Sequence, residues 1–427
     1  MTAKVSRALC VGIMVVTAIT TAACAGTASN RGSDPTATIE IYSDKDPAHE
    51  NLLRQQVADF EGLHPTIKVS IMHFATAELS VEFKNAALAH GGPELVYAPD
   101  DDIVPWARSR IIQPVDTVMG ASFMKQFADN AVGAVSYRGH AYAAPDISGG
   151  QLLLMYNRKI ATDSAMSQFT GFIWPPDNAN DLLKAVKGFN DPSKNQYGLV
   201  FNEIDPLWLV PWVGGFGGAL IDTNGKPTLN TPSVIDALAY EYSLRTGAGL
   251  SPAVDNASAD RIFRAGRAAF MINGDWSIRS YQDTFGADFG MTRLPVVNKT
   301  GKWASPYMTA RGYSINAYTK GEKLMAVGLF LRYISQPGHN VEVAALGDVP
   351  ANKVAAADRR VKDHPILGIL SGALARGTPM PIEPEMAAVW DAMKGPLADV
   401  MNGTEDPPSA ALAMQKNAEQ RISQLGS

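Results

Sequence analysis

The chain has 427 residues, is 46% hydrophobic and 19% charged, and carries a formal net charge of −5. That length supports two or three domains with large cores. The acidic balance argues against nucleic acid as a partner, because phosphate binding calls for a basic excess.

The N-terminus reads as a targeting segment. Lys4 and Arg7 form a basic region, and Ala8 to Ile19 is an uncharged, apolar-rich stretch too short for a comfortable membrane span. Thr21-Ala22-Ala23-Cys24 places small residues before a cysteine, as in a bacterial lipobox, with Thr21 where that pattern prefers Leu. The expectation is a signal peptide over residues 1–23, cleavage before Cys24 and lipidation of its thiol. The alternatives are an uncleaved signal anchor or a plain secretory signal. Of the two cysteines, Cys10 lies in the removed segment, so the mature chain has no disulfide framework. Losing Lys4 and Arg7 takes the net charge from −5 to −7. Residues 24–37 are rich in small and polar residues and read as a flexible tether.

Thr38 to Ser43 alternates like a strand, and His49 to Gly62 is an amphipathic helix with Leu52, Leu53, Val57 and Phe60 on one face. Ile67 to Met72 is a second strand, Ala77 to Ala89 a helix, and Glu94 to Tyr97 a third strand followed by Asp100-Asp101-Asp102. This β-α-β-α-β order predicts a parallel sheet covered by helices, with Asp44 and Asp100 at its carboxyl edge. The acidic run lacks the alternate-ligand spacing and central Gly of a calcium loop, and reads as a solvated turn or helix cap.

Further on, Ser148-Gly149-Gly150 precedes the apolar strand Gln151 to Tyr156 and is a candidate interlobe crossing. Trp208 and Trp212 lie four apart, compatible with either a packed helix face or a ligand platform. Thr231 to Gly247 is a capped helix. Ala268 to Ile272 is a buried strand, Asn273-Gly274 a tight turn, Asp275 an N-cap, and Trp276 opens the next helix at a sheet edge. Such a Trp faces a cleft or fills a core. Met291 to Val297 and Gly312 to Ala317 read as strands, and Lys323 to Ser335, Ala387 to Met401 and Ser409 to Leu425 as helices. Sequons at Asn256, Asn298 and Asn402 are assigned no role.

No Gly-x-Ser-x-Gly elbow, Walker loop, His-Glu-x-x-His or dinucleotide fingerprint occurs, and the seven histidines show no metal-ligand spacing. The reading is therefore a binding protein with no cofactor and no metal. A glycan hydrolase with two carboxylates is the alternative from another class.

From Thr38 onward the chain resembles the extracellular solute-binding proteins of sugar ABC importers, the group that includes the maltose/maltodextrin-binding proteins. The resemblance rests on Gly266 to Trp276, Leu294-Pro295, Pro306-Tyr307, Ser314 to Ala317 and Gly377 to Trp390, with Tyr156-Asn157, Phe201-Asn202 and Pro206 also fitting. It implies an α/β, two-lobed periplasmic-binding-protein-like fold with several interlobe crossings and a ligand cleft between the lobes. Lobe one would span 38–148 and 313–358, and lobe two 149–312 and 359–427. It further implies a monomer, tethered outside the cytoplasm, that closes around a carbohydrate and presents it to ABC permease subunits in the membrane. A maltooligosaccharide or trehalose-like α-glucoside is favoured over a glycerophosphodiester or amino sugar.

Residue by residue, the resemblance places Asp44 and Lys45 as hydrogen-bonding partners of sugar hydroxyls, Tyr97 and Asp100 in a second contact loop, and Asp205 at a carboxylate position. Trp276 and Trp390 match the stacking tryptophans, with Tyr307 extending that surface. Trp208 stands beside Leu207, which occupies the position of a ring. Gly150 stands in place of a Glu, Asp101 in place of a basic residue and Asp391 in place of an aromatic. Arg311 has no counterpart, and its planar fork suits a carboxylate, a phosphate or paired hydroxyls.

Overall fold

The computed structural model describes residues 34–161, 174–222, 224–249, 254–381 and 385–425. The signal segment, Cys24 and most of the tether lie outside the described residues, as do residues 382–384 of the late motif.

The first strand, β1 (Ala37–Ser43), buries Ile39, Ile41 and Ser43 with the two-residue period of a pleated strand. Helix α1 (Pro47–Leu63) starts where the Asp46 carboxylate accepts the N–H groups of Ala48 and His49, with proline at the first helical position. Strand β2 (Ile67–His73), helix α2 (Thr76–Leu88), strand β3 (Leu95–Pro99) and helix α3 (Asp100–Arg108) follow. Strand β1 pairs in parallel with both β2 and β3, as the alternating order predicts. The carboxyl ends of β1 and β3 therefore deliver Asp44 and Asp100 to the same sheet edge.

The second lobe is built on a four-stranded sheet. Its two inner strands, β5 (Leu152–Asn157) and β7 (Ala268–Gly274), are buried at every residue, which explains their continuous apolar character. They lie antiparallel to each other, flanked by β6 (Tyr197–Phe201) and β8 (Phe289–Thr292). Helices α4 (Pro206–Gly215), α5 (Pro232–Ala248), α9 (Glu385–Asn402) and α10 (Pro407–Leu425) contribute to the same core.

Two strands carry the chain between the cores. Strand β4 (Ala144–Gly149) and strand β9 (Tyr307–Asn316) run antiparallel, with Thr309 opposite Gly149 and Tyr313 opposite Ala144. Ala144, Tyr313 and Ile315 belong to the first core with helix α7 (Gly321–Ile334), whereas Leu152, Tyr307 and Met308 belong to the second. The pairing is irregular between Arg311 and Gly312. A Cβ at Gly312 would lie 2.5 Å from the Ala144 carbonyl oxygen, so the close approach of the strands requires glycine. Strand β9 also begins five residues before the Gly312 expected from the sequence, because Tyr307 and Met308 pair with Thr378 and Pro379 and the next three residues pair with β4.

Two expectations are corrected. Asn273-Gly274 is no tight turn: β7 continues through Gly274, and the chain bends in a 3-10 turn at Asp275–Ser277 before helix α6 (Ile278–Phe285). Asn273 is held inside, donating to the Tyr281 hydroxyl at 2.8 Å and accepting from the Gly274 N–H at 2.9 Å. Asp275 consequently makes no side-chain cap. Trp208 is not a ligand platform but a core residue, 4% exposed, with its indole N–H donating to the Ile272 carbonyl at 2.8 Å. Trp212 is buried too, packed edge-on against Tyr240.

Candidate ligand-binding cleft

The crossing strands form the floor of a cavity of about 470 Å³, whose walls include Gly149, Gly150, Asp275, Trp276, Thr309, Arg311 and Asp348. A second cavity of about 270 Å³ is lined by Asp100, Asp101, Arg108, Met386 and Trp390. Arg311 connects them. It lines the first cavity, pairs with the Asp44 carboxylate, and its charge reaches Asp101 in the second.

Trp276 is 54% exposed, an unusual state for so large an apolar side chain. Its position has a local cause. The six-membered ring lies over the backbone of Gly274, where a Cβ would be 2.1 Å from the ring. The turn at Asp275–Ser277 and the missing side chain at 274 together hold the indole flat on the rim of the larger cavity. Trp390, half-buried on α9, meets Tyr307 edge-on at 6.0 Å. Tyr307 itself is buried and supports this second tryptophan from β9.

Four acids shape the polar character of the site. Asp44 has no exposed side-chain surface, and its Oδ2 is buried with no partner among the described residues. Asp100 is also buried, and its Oδ2 likewise has no partner among the described residues. Burial, aided by the charge of Asp101, pushes its pKa up to about 8, although the N–H of Ala310 on the crossing strand opposes the shift. Asp275 is raised to about 6 by burial, which the backbone N–H groups of Gln151 and Gly150 partly offset and the charge of Asp348 reinforces. Asp348 pairs with His49 of α1. The wall thus offers carboxyl groups, one of them with its pKa pushed up to about 8, a guanidinium and two aromatic faces. Such a set can donate to and accept from hydroxyls while stacking against CH surfaces.

Other sequence-derived candidates lie outside both cavities. The Lys45 ammonium donates to Asp146 at 2.8 Å and lies 3.6 Å from the Tyr97 ring centroid. Burial works against its charge, but Asp146, Tyr313 and Tyr97 outweigh that and hold its pKa well above the ordinary value. Lys45 and Tyr97 are both buried and line neither cavity. Asp205 caps α4, accepting from the Leu207 N–H at 3.0 Å. Asp391 is exposed and pairs with Lys394 at 2.8 Å.

Sequence reasoning missed Asp275, Asp348 and Thr309 as wall residues. The first stood in the Asn-Gly-Asp-Trp run but was read as a cap. The other two lie in stretches without a local signal. Thr309 also explains Gly150: a Cβ there would lie 2.2 Å from Thr309 Oγ1, and φ is +75°, so no side chain fits.

Comparison with known proteins agrees with this architecture. The family model for bacterial extracellular solute-binding proteins matches residues 55–368. The maltotriose-binding protein of Pyrococcus abyssi is 25% identical over 390 residues, spanning 90% of this chain and 81% of that protein. The galactooligosaccharide-binding protein of Bacillus subtilis is 22% identical over 405 residues, spanning 92% and 90%. The maltose/maltodextrin-binding domain of Bdellovibrio bacteriovorus, solved bound to maltotriose, is 33% identical with a TM-score of 0.69, covering 91% of this chain and 100% of that one. With its two α/β lobes, its paired crossing strands and a cleft rimmed by Trp276, the chain belongs to the bacterial extracellular solute-binding proteins and resembles the maltose/maltodextrin binders among them.

Proposed function

We propose that the protein is the sugar-capturing component of an ABC importer, favouring a maltooligosaccharide or trehalose-like α-glucoside. The observation that carries this reading is Trp276, a half-exposed indole on a cavity wall that also holds Arg311, Asp275 and Asp348. An aromatic face for the sugar's CH surface beside charged hydrogen-bonding groups for its hydroxyls is the chemistry a glucoside needs. The maltotriose-related names of two similar proteins support the sugar class. Lobe one comprises residues 38–148 and 313–358, and lobe two residues 149–312 and 359–427. Ligand closes the lobes about β4 and β9, and the permease accepts the closed form. On this reading the protein is a monomer, anchored to the outside of the cell membrane by lipidation at Cys24.

An anionic ligand such as a glycerophosphodiester is disfavoured, because Arg311 already has a carboxylate partner in Asp44. Tryptophan fluorescence titrated with maltose, maltotriose, trehalose, an amino sugar and glycerophosphocholine tests the reading. A saturable shift with one glucoside, and recovery of that sugar unchanged, is the expected result. A response confined to the phosphodiester would overturn the sugar class, and new reducing ends would indicate a hydrolase.

A further inference from the structure

Away from the cleft, two arginines of the second lobe carry charge that sugar capture does not use. Arg293 follows β8, and Arg376 follows helix α8 (Pro365–Leu374). Both stand against Trp303, with guanidinium carbons 3.8 and 5.1 Å from its ring centroid. Cation–π attraction accounts for each contact singly, but it does not remove the repulsion between the two cations.

Their remaining partners are few. Arg376 Nη1 donates to the Gly372 carbonyl at 2.6 Å, near the end of α8. Arg293 has no hydrogen bond or ion pair among the described residues, and its Nε is buried without a partner. Burial and the charge of Arg376 both lower its pKa, and Asp177 only partly restores it. A buried donor left unmade and two like charges on one ring both cost stability until an anion joins them. The two side chains, Trp303, Leu152, Pro306 and Ala373 enclose a small cavity of about 10 Å³, the room of one water molecule. One oxygen of a ligand fits inside, with the rest of the anion at the mouth.

We propose that Arg293, Trp303 and Arg376 form a binding site for a phosphate-type oxyanion, either free or as the head group of an anionic lipid. Two cations with no carboxylate in ion-pair contact among the described residues suit a group that carries up to two negative charges, and guanidinium forks match its tetrahedral oxygens. The site is tied to the crossing strand. Ser305 Oγ donates to the Arg376 carbonyl at 2.9 Å, and the Thr378 N–H donates to the Pro306 carbonyl at 3.0 Å, next to the start of β9.

The test uses the full chain carrying Cys24→Ser, so that no lipid anchor interferes. Its thermal midpoint is followed against inorganic phosphate with ionic strength held constant by chloride. In parallel, its retention on phosphatidylglycerol vesicles is compared with that on phosphatidylcholine vesicles. The expected result is a saturable rise in midpoint, or retention on the anionic vesicles alone. The first assigns free phosphate and the second a lipid head group. Arg293→Gln and Arg376→Gln should each weaken that response about tenfold or more, the worth of a charge-assisted hydrogen bond. Arg293→Gln also removes the cation–π contact with Trp303, so each variant's response is read against its own midpoint in chloride alone. Indifference of the wild type to both probes would overturn the proposal, as would an equal response in the variants.

Discussion

Arg311 and Asp44 stand 267 residues apart in sequence and form an ion pair in which the arginine lines the larger cavity and the carboxylate lies buried behind it. Asp44 contributes no side-chain surface to solvent, whereas Arg311 keeps 30% of its own. The pair joins the crossing strand β9 to the carboxyl end of β1. A buried carboxylate that loses its cation is destabilising, by about 3–5 kcal/mol for a fully buried pair. Because Arg311 is partly exposed, Arg311→Ala should cost about 2 kcal/mol in urea unfolding. Adding Asp44→Asn should restore part of that loss. A double variant no more stable than Arg311→Ala would show that the charge of Asp44 is not what the arginine compensates.

The two tryptophans Trp276 and Trp208 should separate binding from folding. Trp276 is half exposed, so Trp276→Ala should leave stability within about 0.5 kcal/mol and weaken sugar binding about tenfold. Trp208 fills the second core, and Trp208→Ala should destabilise by about 3–5 kcal/mol. Unfolding curves and ligand titrations on both variants check this. A large stability loss in Trp276→Ala would place its ring in a core role and remove it from the proposed platform.

What the sequence disclosed follows the range over which each signal acts. Element types in the first lobe were legible because alternation and helical periodicity are local, as in β1 and α1. The Asn-Gly-Asp-Trp run left Trp276 open between a cleft and a core, and only the family resemblance pointed to stacking; the structure leaves its ring 54% exposed on a cavity wall. Whether Trp208 faced a core or a ligand was not legible either, because its partner, the Ile272 carbonyl, lies 64 residues away. Asp348 and Thr309 carry no local pattern. They reach the wall because the chain returns between lobes beside β4, a property of topology. Lys45 matched a family position but folds back on Asp146, 101 residues on, a pairing no spacing rule exposes.

His49 provides a pH-dependent tie between helix α1 and the segment that carries Asp348. Its ring lies between Asp348 and Asp46, the latter at 2.6 Å. The hydrogen bond to Asp348 raises its pKa, burial opposes this, and the charges of Asp348 and Asp46 add to it. A histidine raised in the folded state contributes fully below its unfolded pKa of about 6.5. That contribution should disappear as pH climbs through the higher folded value. His49→Asn should therefore flatten the decline in thermal midpoint from about pH 6.5 upward. If wild type and variant decline in parallel, the tie contributes nothing measurable.

Asp100 should give the folded protein a second pH dependence. Its folded pKa of about 8, set first by burial and then by Asp101, lies far above the unfolded value of 3.8. Between those values the folded protein holds a proton that the unfolded chain releases. Stability from this group therefore falls as pH rises through the window. Asp100→Asn mimics the neutral carboxyl, so it should match the wild type near pH 4 and exceed it at pH 8 and above. At neutral pH the amide can still both donate and accept, and sugar binding should survive; Asp100→Leu should lose it. Thermal midpoints from pH 4 to 9, with sugar titrations at pH 7, check both statements. An Asn variant whose midpoint tracks the wild type throughout would mean that Asp100 is ionised in the cleft, with its unpartnered oxygen then serving only as an acceptor.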